Sequence, residues 1–173
     1  MEDALLRWTV RFAVILYLGR VWTEWRLTGK KNDAQRVQRM QRARWLWTAG
    51  AVCYLAHVLC AFAFVHDWSH ARAYQHTAAE TAATTGIDWG GGLYLNYLLT
   101  LVWLVDMLAW WLVDIRLPYR SKIYFVLLHG YFAFMFFQAT VVFGPPGWKS
   151  FALLAAVSAG VAWYVNRKRG GAQ

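Results

Sequence analysis

Five stretches of the chain carry long apolar runs, and most charged residues are confined to the segments between them. The runs extend from about Leu5 to Trp25, Trp45 to Val65, Leu93 to Val113, Ile123 to Phe143 and Phe151 to Val165. Roughly 20 helical residues at 1.5 Å per residue cross a ~30 Å hydrocarbon core. The second, third and fourth runs meet that length, and the fifth is shorter. The pattern predicts an all-α, polytopic membrane helical bundle of about five spans in a single membrane domain.

The first run is the least regular. Arg11 and Arg20 interrupt it and leave only FAVILYLG, residues 12–19, without a break. An arginine at mid-membrane costs about 2.5–3.5 kcal/mol, less where its long stem lets the head snorkel to an interface. Both arginines lie near the ends of the run, where snorkelling is expected. The alternative is an interfacial first helix and four spans. The opening MEDALLRWTVRF has neither a basic stretch nor a small-residue cleavage site, so this run is expected to stay in the mature chain.

Charge orients these spans. The net charge is +9, and 13 of the 18 Lys and Arg residues fall in the segments 26–44, 114–122 and 166–171. Alternate crossings place all three segments on one side, while Arg7, Arg72 and Lys149 fall on the other. Basic residues beside apolar spans mark the cytoplasmic face. The N-terminus is therefore expected outside and the C-terminus in the cytoplasm of an inner or plasma membrane. Placed in this way, the positive charge points to topology and anionic lipid headgroups rather than nucleic acid. Trp22, Trp25, Trp45 and Trp47 flank the basic 26–44 loop, and Trp68, Trp89 and Trp148 lie toward the opposite interface, as anchors of helix ends would.

The longest external segment is residues 66–92. Its Ala, Gln, Glu and Arg content favours a helix that continues the second span outward, with Gly86 as its C-cap and a flexible IDWGGG lead into the third span.

Composition strengthens the membrane assignment: 59% of residues are hydrophobic, 18% are aromatic and the mean hydropathy is +0.28. A soluble domain averages about 45–50% apolar residues. The two cysteines, Cys53 and Cys60, are about 10 Å apart along one helix, too far to bridge within it.

Candidate chemistry is sparse. Cys53, His57 and Cys60 form one helical stripe whose ligand types suit copper(I) or zinc, but the same small residues describe a packing face. His66 and His70, spaced i and i+4, stack two imidazoles at the outer boundary, and His76 and Glu80 repeat the spacing further out. Asp67 and Asp88 add carboxylates nearby, and further ligands must come from residues 88–96 or another chain. A solvated polar helix carries the same residues. Within the membrane, Arg20, His57, Asp106 and His129 are costly polar groups that require partners. Asp106 and His129 are expected at similar depth, and Asp106 pairs equally well with His129 or with Arg20. His57 and His129 are the candidates for a bis-histidine haem, although their expected depths differ. No phosphate-binding loop, nucleophile elbow or dinucleotide fingerprint occurs, so no catalytic residue is assigned.

These features favour an accessory or scaffold subunit of a larger membrane assembly, with other membrane subunits or further copies of itself as partners. A metal- or haem-binding and redox-active membrane protein is the alternative. Proton or ion passage past Asp106 and His129 is a third reading.

Overall fold

The computed structural model describes residues 2–25, 33–116 and 121–144, and all of its regular structure there is helical. The elements are α1 (Glu2–Trp25), α2 (Asp33–Phe64), α3 (His70–Thr85), α4 (Gly92–Leu112) and α5 (Lys122–Phe137), with a π-helical turn at Gln138–Val142. Three helical stretches are long and apolar enough to cross a membrane: Asp33–Phe64, Gly92–Leu112 and Lys122–Val142. The expected fifth run, residues 151–165, lies outside the described residues.

Helix α2 is longer than its apolar run. Residues 33–44, read from sequence as part of a basic loop, are the first three turns of α2. Their Ala, Gln, Met and Arg side chains are good helix formers, and Asp33 sits favourably in the first turn. Met40 and Ala43 are buried there, so tertiary packing reinforces the propensity.

At its other end α2 stops sooner than expected. The helix ends at Phe64, and Asp67 and Trp68 adopt positive φ of 47° and 57°. Such left-handed conformations cannot continue a right-handed helix. Ser69 then accepts a hydrogen bond from the Arg72 backbone N–H and caps a separate helix, α3. The Asp67 carboxylate pairs with Arg72 across the same turn. Helix α3 closes on Gly86, at φ 78°, as the sequence leads one to expect.

The chain divides into two compact units, residues 1–130 and 131–173. In the first, α1 and α2 run antiparallel: Leu6 and Thr9 meet His57, Leu16 lies beside Gly50, and Gly19 lies beside Leu46. Helix α4 packs on α2 through Trp103, whose ring lies 4.9 Å from that of Trp47 and is stacked 5.5 Å from that of Tyr54. Further along, Trp111 meets Trp45 edge-on at 4.9 Å and donates to the Thr48 hydroxyl. A Cβ at Gly50 would lie 2.9 Å from the Trp103 ring, so this close approach requires glycine. In the second unit, Phe132 and Phe136 make an edge-on ring contact, and the Thr140 hydroxyl donates to the Phe136 carbonyl.

Candidate functional site

Two clusters gather the polar side chains of the first unit. One lies within the helical bundle. Ala13, Tyr17 and Arg20 fall on one stripe of α1, and all three are buried. The Arg20 guanidinium lies 3.9 Å over the Trp47 ring and 5.0 Å from the Trp110 ring centre, with no solvent exposure. This corrects the expectation that Arg20 snorkels to the interface. It also corrects the role assigned to Trp47, which is a core residue rather than an interfacial anchor. The cause is shared: the flat indole faces attract the planar cation and cover it, which offsets part of the cost of its burial. Trp22, Trp45, Trp68 and Trp89 remain exposed, as interfacial anchors require.

Asp106 is buried on the inner face of α4, flanked one turn away by Trp103 and Trp110. Trp103 meets Trp47 and Trp110 meets Arg20, so Asp106 belongs to the same layer of the bundle. His129 on α5 joins it from the other side. Its Nδ1 lies 3.2 Å from the Tyr17 hydroxyl, and its ring lies 4.2 Å from Phe125 and 6.4 Å from Trp47. The structure thus brings Arg20, Asp106 and His129 into one neighbourhood.

His57 belongs elsewhere. Its Nδ1 lies 3.0 Å from the Leu6 carbonyl oxygen and 3.5 Å from the Thr9 hydroxyl. Thr9 and Tyr17, the α1 partners of His57 and His129, are eight residues apart, or ~12 Å along a helix. Two axial ligands to one haem iron would have to approach within a few ångströms of each other, and the structure does not bring these two histidines together. Cys53 and Cys60 are half-buried free thiols flanking the packed His57.

The second cluster forms at the end of α2, in its turn, and on α3 and α4. Because the turn separates α2 from α3, His66 and His70 do not share a helical face. His66 instead meets His76, with ring centres 5.4 Å apart, and packs edge-on against Phe62. Burial, and secondarily the charge of His76, hold the His66 imidazole below its usual pKa. His70 turns toward α4, where its Nδ1 lies 3.0 Å from the Tyr97 hydroxyl and its ring is near Tyr94. Helix α3 is held against α4 by close packing: a Cβ at Gly90 would lie 2.5 Å from the Tyr74 carbonyl oxygen. The glycines of the IDWGGG stretch, read as a flexible lead, therefore include a packing contact. Glu80 is exposed, one turn beyond His76 on α3, and Asp88 is exposed as well. Among the described residues, no three His, Cys, Asp or Glu side chains converge as metal ligands.

Sequence reasoning identified the ionisable members of both clusters but missed their aromatic partners Tyr17, Trp47, Trp103, Trp110 and Tyr97. The spacing of Ala13, Tyr17 and Arg20 at i, i+4 and i+7 was the available signal for the first of these. No family model, curated protein or solved structure matches this chain.

Proposed function

We propose that the chain is a multi-pass protein of the inner or plasma membrane, with five spans, an external N-terminus and a cytoplasmic C-terminus, serving as an accessory or scaffold subunit of a larger membrane assembly. The pairing of α1 with α2 supports counting the first run as a span. Residues 6–19 of α1 follow residues 57–46 of α2 in antiparallel register, whereas a helix lying in the headgroup plane would cross α2.

The observation that carries the assembly reading is the outward face of α4. Leu98, Leu101, Val105, Leu108 and Leu112 are all exposed there and follow 3-4-3-4 spacing over four turns. That spacing suits knobs-into-holes packing with another apolar helix. The intramembrane polar groups are used within the chain: buried Arg20 and half-buried His57 and His129 each contact a group on another helix, and these contacts join α1 to α2 and α5.

The test is purification in mild detergent without chelator, followed by mass measurement of the intact complex. Companions at fixed stoichiometry, or a defined homo-oligomer, are expected. A lone monomer that stays monomeric in native lipid overturns the reading.

A second reading, metal handling at the outer face, is favoured by the approach of His66 to His76. Elemental analysis and an absorption spectrum of the same preparation test it, and a metal-free, colourless protein that takes up no added ion removes it.

A further inference from the structure

We infer that His66 and His76 form a two-imidazole docking site for a borderline divalent cation of the Zn2+ or Cu2+ class; this rests on the metal-handling reading above. The two rings come from different elements, the turn after α2 and the middle of α3, and their centres lie 5.4 Å apart with planes inclined at 60°. Zinc binds imidazole nitrogen at about 2.0–2.1 Å, which sets the ring centres of a tetrahedral bis-imidazole pair ~5–6 Å apart. The observed spacing falls in that range.

The surroundings leave the pair available. The Nδ1 of His66 is buried without a hydrogen-bond partner. The nearest competing groups are committed elsewhere: the Asp67 carboxylate to Arg72, and the His70 Nδ1 to Tyr97.

The site is rigidly mounted. Helix α3 is capped at both ends, by Ser69 and Gly86, and packs at the start of α4 through Tyr74 against Gly90 and Thr77 against Gly92. Glu80, one turn beyond His76, adds negative charge nearby without joining the pair. Two neutral nitrogen donors select ions that favour imidazole over hard ions such as Mg2+ and Ca2+. With no third protein ligand among the described residues, water fills the other positions. Such a half-open shell suits an ion that is received and passed on.

The test is titration of the purified full-length chain in detergent with Zn2+ or Cu2+, in competition with a chromophoric chelator. The wild type is expected to bind one equivalent. His66→Gln and His76→Gln are each expected to weaken binding by about 10–100-fold, and His70→Gln to leave it unchanged. Protection of His66 and His76 from diethylpyrocarbonate by added Zn2+, read by mass spectrometry on the wild type, checks the assignment without relying on a variant's folding. No binding to the wild type overturns both this inference and the metal-handling reading. Binding lost in His70→Gln but kept in the other two variants, or Zn2+ protecting neither ring, overturns the His66–His76 assignment while leaving metal handling intact.

Discussion

The Arg20 guanidinium lies 3.9 Å over the Trp47 ring, and neither side chain is exposed to solvent. This contact joins α1 to α2, and the second stack, on Trp110, joins both to α4. A desolvated cation–π contact is worth about 2 kcal/mol. Arg20→Leu is therefore expected to lower stability by about that amount, with Arg20→Lys intermediate because an ammonium lacks the planar face. Tryptophan-fluorescence melting in detergent measures both. An Arg20→Leu protein as stable as the wild type would show that the stack contributes nothing net.

Two glycines should respond in opposite directions. A methyl at Gly50 would meet the Trp103 ring at 2.9 Å, whereas nothing lies within 4 Å of a methyl at Gly130. Overpacking costs about 1–3 kcal/mol, and alanine is favoured over glycine inside a helix by about 0.5–1 kcal/mol. Gly50→Ala is expected to lower the melting temperature and Gly130→Ala to raise it slightly. Equal effects would contradict the packing of α4 on α2.

The boundary between α2 and α3 depends on local capping. Ser69→Ala removes the acceptor for the Arg72 N–H and is expected to cost about 1 kcal/mol. Gly86→Ala is expected to cost about 1–2 kcal/mol, because φ 78° disfavours a side chain even in open space. Amide exchange should accelerate at residues 70–74 in the first variant and at residue 86, whose N–H donates to the Ala82 carbonyl, in the second. If neither changes, the ends of α3 are not set by these caps.

The orientation is open to chemical labelling. In a chain whose two native cysteines are replaced by alanine, a cysteine at exposed Ala83 should react with a membrane-impermeant maleimide in intact cells. A cysteine at exposed Gln38 should react only after permeabilisation. The reverse pattern would invert the topology.

The sequence by itself determined the helical class, three helices long and apolar enough to cross a membrane, and the identity of the polar residues within the apolar helices. Apolar runs near 20 residues and the expense of Arg20, His57, Asp106 and His129 in hydrocarbon are local properties, legible without a fold. The C-cap at Gly86 was legible for the same reason. What the tertiary structure alone decided was partnership. Arg20 points inward because Trp47 and Trp110, distant in sequence, converge on it. His66 meets His76 rather than His70 because two residues with positive φ end α2 and redirect α3. His57 and His129 are held at different levels of α1 by Leu6 and Tyr17. Periodicity places a side chain on a helix face, but only the packing of one helix against another determines what that face meets.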